Sequence, residues 1–581
     1  MICELFQPEI KGKRQELFRS EIKYALKSEM GDAFRITAAP DSCLVEGGMN
    51  GLLYARDLLD DLTLKHGGIP CAEYNDSPDL KFRCYHIDLK KGSGGTEDIK
   101  RTLKRLRSLR YNYVLIEYEN RIRLDSLPGV EAADAFTHDE VREIVRYAEE
   151  NGLKVIPLLQ SFGHLEYLLS DPACRKYSES QTDFSQICPL NDEAFELWKK
   201  VFDEMRALHP DSEYFHIGGD ETRQLGKCPA CSEFVEDHSR EELFFHHISR
   251  VCQYAVEQGC RPMLWHDMLA RSGRFDLLAR LPRETILIYW EYSSAEEISR
   301  SIKIRERILV SRSWIGRVRS FRDFTEAPKQ FTGFIEDEHE MLPDGFNRPK
   351  ILPLLEPMQE TGLTVLGASS LGYSPCGTLL GDTDNVHSNI RMWLDSGIEG
   401  LIVTRWAASN TLDAPRGPAS LRDFPLTMAA GMMWDGMQNR DMLADRYSRS
   451  FGMGTEQLAG LLDIMVYSEN ENFFNWAEHA APEFAALERG IDPRLMWLFR
   501  KYRAAMNAEL LIRQIRSFMR NQAGHLAESE YGKKLSLKIP EIKQELRDCF
   551  ADEYPQDSLE KWLKRLFEPY DALFNGLYPK R

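Results

Sequence analysis

Tyr214-Phe215-His216-Ile217-Gly218-Gly219-Asp220-Glu221 decides how this chain is read. Four residues suited to a buried strand run into two glycines and two adjacent acids, so a strand ends where a tight, permissive loop begins. Working outward, seven more apolar runs share this shape. They are Cys84-Tyr85-His86-Ile87, Tyr113-Val114-Leu115-Ile116, Val155-Ile156-Pro157-Leu158-Leu159, Pro262-Met263-Leu264-Trp265, Ile286-Leu287-Ile288-Tyr289-Trp290, Leu363-Thr364-Val365-Leu366 and Leu401-Ile402-Val403-Thr404. Runs buried on both faces and alternating with helical stretches are what a parallel sheet requires, and eight of them predict a (β/α)8 barrel over residues 81–435. Thr137 with Glu140 offers a capping box to the helix before the third strand. Arg307-Ile308-Leu309-Val310-Ser311-Arg312 also looks like a strand; strand seven is assigned to 363–366 instead, and 300–350 is read as an insertion.

The flanks read differently. Residues 1–80 combine short strand-like runs with the amphipathic stretch from Gly51 to Leu62, and the turn cluster Asn75-Asp76-Ser77-Pro78-Asp79 closes what is expected to be a small α+β domain. Residues 436–581 read as helices, as in Leu495-Met496-Trp497-Leu498-Phe499-Arg500-Lys501-Tyr502, and carry no recognisable chemistry.

A chain of 581 residues accommodates a barrel and two flanking domains. The formal charge of −17 argues against nucleic acid, which would call for a basic stripe. The N-terminal residues have neither a basic start nor an apolar run, and no stretch of about 18 apolar residues is present to span a bilayer, so a cytoplasmic protein without a membrane partner is expected. The 12 cysteines, several inside apolar runs as at Cys84 and Cys252, suit reduced core thiols better than a disulfide framework.

Working residues of such a barrel sit at the C-terminal ends of its strands. There the sequence places Asp88, Glu117 and Glu119, Gln160 and His164, Asp220 and Glu221, Trp265 to Asp267, Trp290 to Tyr292, and Arg405 with Trp406. Acids accept hydroxyl hydrogens and indole rings cover the apolar face of a pyranose, so this ring describes a sugar site rather than a phosphate site. Lys91-Gly92-Ser93-Gly94-Gly95-Thr96 reads as a loop over that site, not a nucleotide cradle.

His216-Ile217-Gly218-Gly219-Asp220-Glu221 resembles the signature of glycoside hydrolase family 20, the β-N-acetylhexosaminidases. His86-Ile87-Asp88-Leu89-Lys90, Leu115-Ile116-Glu117-Tyr118-Glu119, Leu158-Leu159-Gln160-Ser161-Phe162-Gly163-His164 and Leu264-Trp265-His266-Asp267-Met268 resemble in particular the branch containing hexosaminidase D. The resemblance runs from about Arg35 to Trp406. It implies exo-acting, retaining release of a terminal β-linked GalNAc or GlcNAc, with the substrate's own 2-acetamido oxygen attacking the anomeric carbon to form an oxazolinium ion. On that resemblance Glu221 is the general acid/base, and Asp220 accepts the acetamide N–H. Tyr292, with Tyr373 behind it, is the candidate to hold the acetamido carbonyl. Arg83 is expected to grip the sugar's 3- and 4-hydroxyls, Trp265, Trp290 and Trp406 to line the pocket, and His164 and Asp267 to buttress the acids. Many members carry an acid two residues after the strand-eight tryptophan to bind the 4-hydroxyl; here that position is Ala408, which leaves the choice between GlcNAc and GalNAc open.

The expected partner is a glycan or glycoconjugate ending in a β-N-acetylhexosamine; a homodimer is compatible with these residues. No cofactor and no metal is expected. Cys228-Pro229-Ala230-Cys231 supplies two zinc ligands where a structural site needs four, and Cys188 or the histidines at 238, 246 and 247 would have to complete it, so these are read as loop thiols. Two alternatives stand beside the main reading. One is a disaccharide-releasing enzyme like the lacto-N-biosidases of the same family; the other is a non-catalytic glycan-binding protein, which would predict loss of Asp220 or Glu221.

Overall fold

A computed structural model describes residues 5–12, 15–90, 94–293, 301–304, 308–311, 339–341, 347–349, 351–371, 383–408, 415–437, 439–451, 491, 493–522 and 529–574. The first unit is a five-stranded sheet in the order Glu9–Lys11, Glu73–Asp76, Phe34–Ala39, Ser42–Gly47, Lys23–Leu26. Phe34, Ile36 and Ala38 are buried while Arg35 and Thr37 face solvent, the period-two pattern of a sheet with one wet face. The helix Met49–His66 covers the dry face with Tyr54, Ala55, Leu58, Leu59 and Leu62.

The barrel follows. Its strands are β1 (Phe82–Asp88), β2 (Tyr113–Glu117), β3 (Lys154–Leu158), β4 (Tyr214–His216), β5 (Arg261–Trp265), β6 (Ile286–Trp290), β7 (Thr364–Ser370) and β8 (Gly400–Thr404). All eight pair in parallel, and β8 closes on β1 with Gly400 opposite Phe82. Each run is apolar because one face fills the barrel while the other packs under helices. Cys84, Leu115, Ile156, Met263, Ile288, Leu366 and Ile402 form the inner cluster, and Leu103, Ile144, Val201 and Ile248 belong to the outer one. The helix His138–Glu150 begins with the expected capping box, Thr137 and Glu140 each accepting from the other's backbone.

The choice of strand seven is settled by pairing. Thr364–Ser370 lies parallel to β6, with Leu287 opposite Val365, whereas Ile308–Ser311 forms an antiparallel hairpin with Ser301–Ile304 outside the barrel. Beyond the barrel come the helices Arg440–Ser450, Met496–Gln522, Glu530–Phe550 and Gln556–Phe574. Lys501 Nζ clamps two of them together through Asp552 and Glu553, and the Ser420 hydroxyl, donating to Glu553, with Arg101, bonded to Asp552, ties them to the barrel. No helix among the described residues is long and apolar enough to cross a membrane.

Candidate active site

Strand β4 is only three residues long, and the glycines after it turn the chain sharply so that two acids stand at the barrel mouth. Gly218 and Gly219 have φ of 68° and 88°, a region L side chains avoid. The next turn carries strain that glycine does not relieve: Glu221 has φ 49°, and His164 and Glu119 on neighbouring loops have 54° and 46°. Three non-glycine residues in left-handed backbone around one cleft are the kind of cost a fold retains at a working site.

Asp220 is buried and Glu221 is exposed. His164 Nε2 lies 3.3 Å from Asp220 Oδ2 and 3.7 Å from Glu221 Oε2, bridging the pair. Burial opposes charge on this imidazole, but the Asp220 carboxylate beside it prevails and lifts its pKa to about 10. Asp220 Oδ1 is buried without a hydrogen-bond partner among the described residues. Behind the pair, the Glu221 backbone N–H donates to Asp267 Oδ2 at 3.1 Å, which fixes the strained turn from β5. Burial first, and then the Asp220 charge, raise the pKa of Asp267. His216, fully buried, is pushed by desolvation down to about 3 and stays neutral, its Nδ1 accepting the Gly218 N–H.

Under this pair lies a second charged layer. Lys90, 3 % exposed, places Nζ at 2.9 Å from Glu117, 3.3 Å from Asp88 and 3.4 Å from Glu119. Burial would strip its proton, but these acids hold its pKa well above the ordinary lysine value. Burial likewise works to raise Glu117, yet Lys90 and His86 hold it below the usual carboxylate range. Gln160 Nε2 donates to Glu117, and Asp88 accepts the Ala407 N–H, so strands β1, β2, β3 and β8 are laced together under the cleft.

Aromatic rings form the wall. Trp406 sits 6.0 Å from Trp265 and 4.7 Å from His86, its Nε1–H donates to the Tyr292 hydroxyl at 3.1 Å, and Tyr292 stacks on Trp290 at 5.4 Å. Acids flanked by half-buried indoles can bind a pyranose face and move a proton at its rim.

Residues 81–315 match the family described as glycosyl hydrolase family 20, catalytic domain. The matched span takes in β1 to β6, so this barrel is similar to the family 20 glycoside hydrolases over six of its eight strands. Among similar proteins, Hexosaminidase D of Bos taurus is 28% identical over 258 residues, covering 43% of this chain and 75% of that protein. Hexosaminidase D of Homo sapiens is 28% identical over 237 residues, covering 40% of this chain, and here the chain spans about half (49%) of its relative's length. The structure of Flavobacterium johnsoniae chitobiase has the same fold, with a TM-score of 0.53 at 14% identity, covering 92% of this chain and 86% of that one.

Within this barrel the structure gathers most of the anticipated residues: Asp220, Glu221, His164, Asp267, Trp265, Trp290, Trp406 and Tyr292. Tyr373 lies outside the described residues. Arg83 is not in the cleft, and this corrects the expectation of a sugar clamp. It stands at the start of β1, away from the strand's C-terminal end, and its guanidinium is consumed there. Nη2 meets Asp32 at 2.5 Å, Nε donates to the Arg110 carbonyl and Nη1 to the Leu80 carbonyl. Strand alternation explains it: Cys84, one residue on, faces the barrel interior, so Arg83 faces out toward the small domain. Lys90 and Arg223 were not anticipated. The signal for Lys90 was the set of acids at Asp88, Glu117 and Glu119, which cannot be buried together without a cation. Arg223, whose Nη2 meets Glu221 Oε1 at 2.5 Å, is largely exposed and had no signal of its own.

Proposed function

We propose that this chain is an exo-acting, retaining β-N-acetylhexosaminidase that hydrolyses terminal β-linked GalNAc or GlcNAc by substrate assistance. The observation that carries the reading is Asp220: one carboxylate oxygen is held by His164, and the other is buried with no partner among the described residues. A buried acceptor of this kind is matched by a donor supplied with the substrate, and the acetamide N–H of a 2-acetamido sugar is such a donor. Bound this way, Asp220 would orient the acetamide oxygen toward the anomeric carbon and balance the positive charge of the oxazolinium ion. Glu221, at the mouth, would protonate the leaving oxygen and then take a proton from the water that opens the ring. Tyr292, fixed by Trp406, would bond the acetamido carbonyl.

Two features bear on the sugar. The partly exposed rings of Trp290 and Trp406 offer apolar faces to a single pyranose, while Trp265, fully buried, packs behind Trp406. Ala408 is buried and offers no polar group to the 4-hydroxyl, so GalNAc and GlcNAc both belong in the test. The experiment is hydrolysis of nitrophenyl β-GlcNAc and β-GalNAc by wild type, Glu221→Gln and Asp220→Asn. Losses of about 10²–10⁴-fold are expected for each variant, and near wild-type turnover in both would overturn the assignment. A thiazoline mimic of the oxazolinium ion should inhibit competitively; insensitivity would argue for a nucleophile supplied by the protein.

A further inference from the structure

Seven residues beyond Glu221 the chain enters a cluster that the sugar chemistry does not use. Cys188, on the loop after β3, places Sγ at 3.6 Å from Cys228 Sγ, at the end of the loop after β4, and 3.5 Å from Cys231 Sγ, in the first turn of the helix Pro229–Asp237. Glu179 joins them, and one ligand atom from each of the four residues falls within 4.8 Å of all the others. Three thiolates at about 2.3 Å from a tetrahedral ion would be separated by about 3.8 Å, close to the sulfur spacing seen here. The fourth donor is supplied: Glu179 is 2 % exposed, its Oε1 accepts the backbone N–H groups of Lys227 and Cys228, and its Oε2 is buried without a partner among the described residues. Unpaired buried carboxylate oxygen is expensive unless a cation meets it.

The backbone is arranged for thiolates. Cys228 caps the helix Pro229–Asp237, its sulfur accepting the Cys231 N–H, so the positive end of that helix faces the cluster. The histidines that the sequence offered as completing ligands are elsewhere: His247 Nε2–H donates to the Ser161 carbonyl, and His238 and His246 pack against Phe234.

We infer that Cys188, Cys228, Cys231 and Glu179 form a structural zinc site that clasps the loop after β3 to the loop after β4, and thereby fixes His164 against Asp220 and Glu221. The clasp has neighbours in the same seam, where Gln224 bonds Gln186 and Asp183, so the ion would lock a join already begun by side chains. A tetrahedral Cys3Glu set leaves no open position for substrate, which makes the role structural rather than catalytic.

The test uses the full chain. Protein purified without chelator should contain one equivalent of zinc by elemental mass spectrometry, and Cys228→Ser should lose it while Cys549→Ser, a half-buried cysteine far along the chain, keeps it. To keep the test independent of how Cys228→Ser folds, wild type is also stripped with chelator and titrated with cobalt. A thiolate-to-cobalt charge-transfer band with intense tetrahedral d–d bands supports the site, and Glu179→Gln should alter those d–d bands. Substoichiometric zinc together with no such spectrum, or a disulfide among the three cysteines found by mapping of the non-reduced protein, would overturn it.

Discussion

His164 Nε2 and Asp220 Oδ2 are 3.3 Å apart across the seam between two barrel loops, and their pairing makes the stability of the site depend on pH. Burial works against the imidazolium, the Asp220 carboxylate outweighs it, and the folded-state pKa of His164 rises to about 10. The folded value lies above that of the unfolded chain, about 6.5. The stabilisation is therefore full below pH of about 6.5 and is lost as pH rises through about 10. A quarter of the His164 side chain meets solvent, which screens the pair, so about 1–2 kcal/mol is expected. Thermal melts of wild type and His164→Asn from pH 6 to 10.5 should converge as pH rises; a constant gap across that range would remove the charge from the account.

Arg83 should behave as a strut between two domains. Removing its guanidinium leaves Asp32 with Asn112 but no cation and strands the Arg110 and Leu80 carbonyls, so Arg83→Met is expected to cost about 3–5 kcal/mol. The folded fraction should keep the wild-type KM for nitrophenyl substrates. A tenfold higher KM at unchanged stability would restore Arg83 to the sugar pocket.

The contrast between Arg83 and Asp220 shows what the sequence can and cannot convey. Barrel, strand order and the acid pair were legible because buried strands, glycine turns and strand-end acids are local patterns. Arg83 was misplaced because its distance from Asp88 along the chain says nothing of which face of β1 it occupies, and the neighbouring Cys84 turned out to fill the interior. Cys188 could be named from the sequence as a partner for Cys228, but Glu179 could not: it lies far away in sequence, in a loop with no periodicity, and backbone pairing of 177–179 with 186–188 brings it alongside Cys188.

Lys90→Met tests the charged layer beneath the cleft. Without the ammonium group, Asp88, Glu117 and Glu119 would be packed together with only the His86 ring, 3.2 Å from Glu117, beside them in place of a lysine. A loss of about 3–5 kcal/mol is expected at neutral pH. The loss should shrink toward pH 5 as the acids take up protons, which urea denaturation at both values would reveal. An equal loss at both would mean that packing against Trp406 matters more than charge.

Tyr292→Phe separates two roles of one residue. The ring stacks on Trp290 and would remain, while the hydroxyl that accepts from Trp406 would go. If that hydroxyl also holds the acetamido carbonyl, kcat should fall by about 10-fold or more, in line with the loss of one oriented hydrogen bond of about 1.5 kcal/mol. Melting temperature should barely change. Unchanged kcat would pass the role to a tyrosine elsewhere, Tyr373 first.

Gly218 makes the sharpest prediction about why the acid turn has its sequence. A Cβ there would lie 1.8 Å from Gln160 Oε1 and 2.7 Å from its Cδ, at φ 68°. Gln160 cannot swing aside freely, because its Nε2 is bonded to Glu117 within the buried network. Gly218→Ala therefore combines left-handed strain of about 1–2 kcal/mol with overpacking of about 1–3 kcal/mol, and it moves the two acids that follow. Gly226→Ala is the control: its φ is similar at 74°, but the nearest atom to its Cβ would be Val235 Cγ2 at 3.2 Å. Activity per folded molecule should collapse in Gly218→Ala and survive in Gly226→Ala, since only the former displaces Asp220 and Glu221. Equal activity in the two would show that the turn tolerates a side chain and that its glycine serves the backbone angle alone.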